Sequence, residues 1–178
     1  YVFFLHWSEI VSEGILDSHE CVCFHMTDVP YGRGGSPLQN LIIRGHQTTK
    51  MTALRMVPEL DAGPVYMKRP LSLEGSTAEE VFMRSSRLSA EMIREIIEEE
   101  PEPTPQSGEI TTFKRRTPSE SEIPPRDSIE GLHDFLRMLD ADGYPPAFID
   151  HEGYRYEFQR SSLYDGRIEA TVTIVPIE

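Results

Sequence analysis

Two short apolar runs restrict the folds open to this chain. Residues 1–5, YVFFL, are unbroken apolar and aromatic, and residues 21–24, CVCF, repeat the pattern. Uninterrupted runs of this length mark strands covered on both faces, as in a parallel sheet. Between them, apolar positions at 10, 11, 15 and 16 are compatible with a short helix within residues 9–16. Strand, short helix, strand is the rhythm of an α/β fold with an open, mostly parallel sheet. Further strands are expected over 50–57 and 64–70, with a Gly/Pro-dense loop over 26–37 and a helical stretch over 37–44 between them and β-forming residue 24.

Later in the chain, Ser76 and Thr77 precede Glu79 and Glu80 at capping-box spacing, which predicts a helix start. Val81, Ser85, Leu88, Met92 and Ile96 then share one helical face. The stretch EPEPTPQSGE, residues 100–109, cannot hold a helix and reads as a linker or an extended crossing. A second helix is expected over 128–140, with Ile129, Leu132, Phe135, Leu136 and Leu139 on its packed face and His133 at the surface. Strand-like segments at 147–149, 154–158 and 168–177, separated by turns at Glu152-Gly153 and Asp165-Gly166, close the sequence. The expected division is a domain over 1–108 and a small helix-plus-strand region over 109–178.

With 178 residues the chain suits one domain, or one domain with an appendage. No stretch approaches the roughly 20 apolar residues of a membrane span. The opening run lacks an initiator Met, a basic flank and a small-residue cleavage site, so it reads as the first strand of a fragment and not as a signal peptide. Cys21 and Cys23 give no disulfide framework, which suits a cytoplasmic location. The net charge is −13 and lies unevenly: residues 1–70 hold 7 acids and 6 bases, residues 71–178 hold 23 and 11. Such a surface repels a polyanion, so a nucleic-acid partner is disfavoured.

The segment FHMTDVPYGRGGSPLQ, residues 24–39, places His25 at the carboxyl end of an expected strand, where open α/β sheets bind ligands. His25, Thr27, Val29, Pro30, Arg33, Gly34 and Pro37 stand in an order and spacing that resemble the signature of the 10-formyltetrahydrofolate-dependent formyltransferases. That group holds methionyl-tRNA formyltransferase and the sugar N-formyltransferases. A second block, TKMTALRMVPELDAG at 49–63, is similar to the family's Thr-Gly-Val-Thr strand and Leu-Asp-x-Gly turn, with Thr49, Thr52, Met56, Leu60, Asp61 and Gly63 in register. The spacing of 36 residues from His25 to Asp61 also matches. Two blocks at the right separation are specific where either alone is weak. FLRMLDADGYPPAF, residues 135–148, is similar to the entry into the family's C-terminal β region.

The resemblance implies a Rossmann-like formyltransferase domain over 1–108 and 10-formyltetrahydrofolate as formyl donor. It makes His25 the donor to the developing oxyanion and Asp61 the proton relay, with Cys23 beside them. Thr27, Arg33, Gly34 and Gly35 are then expected on the substrate side, with Arg33 alternatively ordering the loop. Leu5, His6, Trp7 and Ile10, with Met56 and Leu60, would lie along the pterin. The charge favours a small amine acceptor, such as the amino group of a nucleotide-linked sugar, over initiator tRNA. A homodimer is a further expectation.

The sequence departs from the family at three places. Cys23 stands where the family has an Asn, Lys50 where it has a Gly, and the mononucleotide-type strands that the resemblance places before the counterpart of Tyr1 lie outside this sequence. Losing one oxyanion donor costs on the order of 10² to 10³ in rate, so a non-catalytic relic or binding module is a competing reading. A formyltetrahydrofolate hydrolase and a methionyl-tRNA formyltransferase share the same residues. Cys23 as a thioester-forming nucleophile competes with Cys23 as packing, and packing is the preferred reading. His19, Cys21, Cys23 and His25 alternate along a strand at about 6.6 Å per same-face step, so they cannot converge on one metal ion, and none is expected.

Overall fold

In a computed structural model that describes residues 1–177, the two apolar runs become neighbouring strands. β1 (Val2–Phe4) and β2 (Cys21–His25) pair in parallel, Val2 against Cys21 and Phe4 against Cys23. α1 (Glu13–Ser18) joins them, starting later than residue 9 because Ser12, extended in its backbone, takes the N-cap position. β4 (Thr48–Arg55) runs antiparallel to β2, and β5 (Val65–Ser72) antiparallel to β4. The order is therefore β1-β2-β4-β5. The expected parallel relation holds at β1·β2, and the two later pairs make the sheet mixed. β1 is half-buried along its length, not covered on both faces, because β2 is its one strand neighbour among the described residues.

The Gly/Pro segment expected as loop contains a strand, β3 (Tyr31–Gly34), which pairs in parallel with β6 (Thr111–Phe113). Glycine makes this pairing possible. Gly34 has φ +103, and a Cβ there would fall 2.4 Å from the Phe113 carbonyl oxygen. The Pro/Glu stretch is an extended crossing: Val65 and Thr104 exchange both backbone hydrogen bonds, at 2.7 and 2.8 Å.

These strands belong to the first of two compact units, formed by residues 1–37, 48–72 and 83–115. The second takes residues 38–47, 73–82 and the chain from 116 onward. α2 (Pro37–Ile42) lies in the second unit from Leu38 on, with Leu38, Leu41 and Ile42 buried. α3 (Ala78–Glu99) starts as the capping residues predict: Thr77 Oγ1 accepts from the Glu80 N–H, and the Glu80 carboxylate accepts from the Ser76 N–H. Val81, Ser85, Ser89, Met92 and Ile96 form its buried face.

In the second unit, a 3₁₀ turn (Pro118–Ser121) and α4 (Ile129–Arg137) precede an antiparallel meander. Its strands are β7 (Ala147–His151), β8 (Tyr154–Tyr164) and β9 (Arg167–Pro176). Ser128 caps α4 by accepting from the Gly131 N–H. His133 is buried, not at the surface, because α4 lies on β8 and the imidazole Nε2 reaches the Ser161 carbonyl at 3.5 Å.

Gly63 follows the Asp61 turn so closely that a Cβ would lie 1.8 Å from the Arg55 carbonyl oxygen. Gly63→Ala is therefore expected to destabilise the chain by more than ~2 kcal/mol through backbone displacement, measured as a lower midpoint in urea unfolding.

Candidate active site

β2 delivers His25 at its last position, opposite Thr52 of β4. Thr52 Oγ1 donates to the Thr27 carbonyl at 2.6 Å, which fixes the chain as it leaves the strand. His25 and Asp61, 36 residues apart, are brought together: imidazole Nδ1 lies 3.6 Å from Asp61 Oδ2, with side chains 10% and 11% exposed. The other ring nitrogen, Nε2, is 2.8 Å from the Gly32 carbonyl, which can only accept, so Nε2 carries a hydrogen in this arrangement. Thr27 Oγ1 donates to the same carbonyl at 3.2 Å. The Gly34 N–H donates to Asp61 Oδ2 at 2.8 Å. Asp61 itself adopts φ +53, a left-handed backbone that aspartate tolerates better than most residues.

Cys23, two residues before His25, packs against Val29, Leu54 and Val65. Burial, with the Asp61 charge second, pushes its thiol up to about 12. A thiol in that environment has a thiolate fraction on the order of 10⁻⁴ or below at neutral pH, which argues for packing over nucleophilic attack. Lys50, where the family carries Gly, reaches Asp28 Oδ2 at 2.9 Å, and Lys68 reaches Oδ1 at 2.5 Å. Burial raises the Asp28 carboxyl, but the two lysines outweigh it and hold it below its ordinary value.

The expected substrate-side residues are tied within the chain. Arg33 gives Nε and Nη2 to Gln106 Oε1 at 3.1 and 2.9 Å, and Nη1 to Glu59 at 3.3 Å. Gly35 lies against Arg115, where a Cβ would meet the Arg115 Cβ at 2.5 Å, and Arg115 Nη1 donates to the Ser8 carbonyl at 3.1 Å. That bond ties the segment 5–10 to the chain just after β6. Within it, Leu5, Trp7 and Ile10 are exposed, Trp7 meeting Phe4 edge-on at 5.5 Å. His6 turns instead to α3, 2.9 Å from Ser86 Oγ, and burial lowers its pKa. Leu60, beside Asp61, is exposed; Met56 is half-buried, its N–H bonded to the Cys21 carbonyl at 2.8 Å. Gln106 was not singled out from sequence because it sits in the Pro/Glu stretch, whose composition signals extension and gives no sign of a distant partner. Among the described residues no group of three or more His, Cys, Asp or Glu is arranged to hold a metal ion. No helix among them is long and apolar enough to cross a membrane.

A solved methionyl-tRNA formyltransferase from Clostridium thermocellum shares 48% identity with this chain and a TM-score of 0.94, over 98% of this chain and 78% of that one. The chain belongs to the formyltransferase family. Residues 118–175 match the family model of the methionyl-tRNA formyltransferase C-terminal domain. A methionyl-tRNA formyltransferase of Thermotoga neapolitana is 35% identical over 95 residues, 52% of this chain and 30% of its own length. The match spans 29 to 55% of the first curated relatives. A sugar N-formyltransferase from Shewanella shares the fold at 14% identity and a TM-score of 0.70, over 96% of this chain and 67% of that one.

The thiol's environment has a direct chemical consequence. With iodoacetamide at pH 8, native Cys23 is expected to react at least ~10²-fold more slowly than in urea, read by peptide mass spectrometry.

Proposed function

We propose that this chain carries the reacting groups of an enzyme that moves a formyl group from 10-formyltetrahydrofolate to an amine. The observation that carries the reading is the His25–Asp61 pair, 3.6 Å apart and nearly buried at the end of β2. When bound, the folate supplies the formyl carbon, whose oxygen gains negative charge as the amine adds. His25 supplies a hydrogen-bond donor for that oxygen once Nε2 exchanges the Gly32 carbonyl for substrate. Asp61, within reach of the imidazole, orients the ring and takes up the proton that the amine sheds as the new C–N bond forms. That proton is then passed to the departing folate nitrogen. Cys23 keeps its proton and supports the floor beneath the pair.

The residues present fit a folate. Exposed apolar side chains at Leu5, Trp7 and Leu60 suit a flat heteroaromatic ring, and Arg115 anchors the segment of the first two through the Ser8 carbonyl. HypX from Aquifex aeolicus, of similar fold at 16% identity and TM-score 0.72, has a solved structure with tetrahydrofolic acid bound. Arg33, bonded through Nε and Nη2 to Gln106, orders the loop in this reading. A division near residue 108 and a cytoplasmic location, suited to the free thiols of Cys21 and Cys23, belong to the same reading.

For the acceptor we favour the amino group of methionyl-tRNA, on the strength of the 48% identity to the Clostridium enzyme and the match over 118–175. The net charge of −13 favours a second acceptor, an amino sugar linked to a nucleotide, since it disfavours a polyanion.

Incubation of the full chain with 10-formyltetrahydrofolate and either methionyl-tRNA or a nucleotide-linked amino sugar tests the reading. Formylmethionyl-tRNA is the expected product; a formylated sugar instead would transfer the reading to the second acceptor. Formate release without either product would contradict both. His25→Ala is expected to lower the transfer rate by at least ~10²-fold.

A further inference from the structure

We propose that Gln106 is the positioning residue of this site, its single amide joining the Arg33 strand to the Asp61 turn and so fixing the carboxylate that faces His25. A side-chain amide offers two donors and an acceptor oxygen with two lone pairs. Here all four are used. Oε1 accepts from Arg33 Nε and Nη2 at 3.1 and 2.9 Å, and Nε2 donates to the carbonyls of Asp61 and Gly63 at 2.7 and 2.8 Å. The two segments meet a second time where the Gly34 N–H, adjacent to Arg33, donates to Asp61 Oδ2. The bonds thus close a ring running from the Arg33 guanidinium through Gln106 and the Asp61 backbone to its carboxylate, and back through Gly34.

Each member of the ring has a reason to need the amide. Asp61 holds φ +53, a left-handed conformation that still costs an aspartate free energy and that the bonds around it maintain. Among the described residues, Arg33 has one other partner, Glu59, whose side chain is 77% exposed and contributes little order. Gln106 is itself held from both sides, by the Thr104–Val65 backbone pair before it and by the Thr111 N–H on the Pro30 carbonyl after it. The residue therefore acts through Asp61 and does not touch the reacting atoms. Misplacing a catalytic group by about 1 Å costs on the order of 10²-fold.

The kinetic part of this inference rests on the transfer reaction proposed above; its structural part does not. Gln106→Ala removes all four bonds, and Gln106→Glu keeps an acceptor for Arg33 while losing both donors and facing two carbonyls with a carboxylate. Both variants are expected to lower kcat by ~10- to 10²-fold with KM for the formyl donor within about threefold. In parallel, backbone hydrogen exchange at Gly34 is expected to speed at least ~10-fold while Ala53 and Leu54 of β4 keep their protection. A kcat within twofold of the parent, or unchanged exchange at Gly34, would overturn the proposal. Faster exchange across β4 as well would overturn it by marking a general loss of structure. If the parent chain transfers no formyl group, the functional reading fails and the exchange measurement alone decides the role of Gln106.

Discussion

The carboxylate of Asp61, with a backbone N–H at 2.8 Å and an imidazole nitrogen at 3.6 Å, depends on contacts that three separate stretches of chain must supply at once. A nearly buried carboxylate is stable only with such partners. β2 brings the imidazole, β3 the N–H, and the Gly63 turn the carboxylate itself. β3 can come near because Gly34 has no side chain to meet the Phe113 carbonyl, so the pairing of β3 with β6 and the geometry of the His25–Asp61 pair are one constraint. Chemistry at this site follows from that convergence.

Beneath the pair lies apolar packing. Val29, Leu54 and Val65, with Cys23 against them, form the layer on which the end of β2 rests. Family resemblance places an amide at position 23, and the thiol found there is suited to apolar neighbours in a way that an amide is not, since burying an unpaired amide costs about 1–3 kcal/mol. The electrostatics of the rim differ again: Lys50 and Lys68 converge on Asp28 and keep it charged. Surface pairs of this kind contribute little to stability, but they hold the segment that follows Thr27.

Much of this was legible in the sequence because the signals were local. Apolar runs marked β1 and β2, the Ser76-Thr77 pair marked the start of α3, and the two motif blocks named His25 and Asp61 before any geometry was known. What escaped notice depended on distant partners. Tyr31–Gly34 is too rich in glycine to read as a strand, and becomes one only because Thr111–Phe113 lies alongside. Gln106 sits among prolines and glutamates, a composition that signals extension and says nothing of a bond to Arg33, 73 residues earlier. His133 shares the α4 face of Ile129 and Leu136, but its polar ring reads as a surface residue until β8 is seen to cover it.

Central to the account is that a reduced folate binds where His25 and Asp61 meet. Titration of the isotopically labelled full chain with 5-formyltetrahydrofolate, a stable analogue of the donor, followed by NMR, addresses that claim most directly. The account predicts saturable shifts at the His25 ring and the Gly34 amide, with small changes in the β7–β9 meander. Unmoved resonances at His25 and Gly34 with millimolar ligand would contradict it.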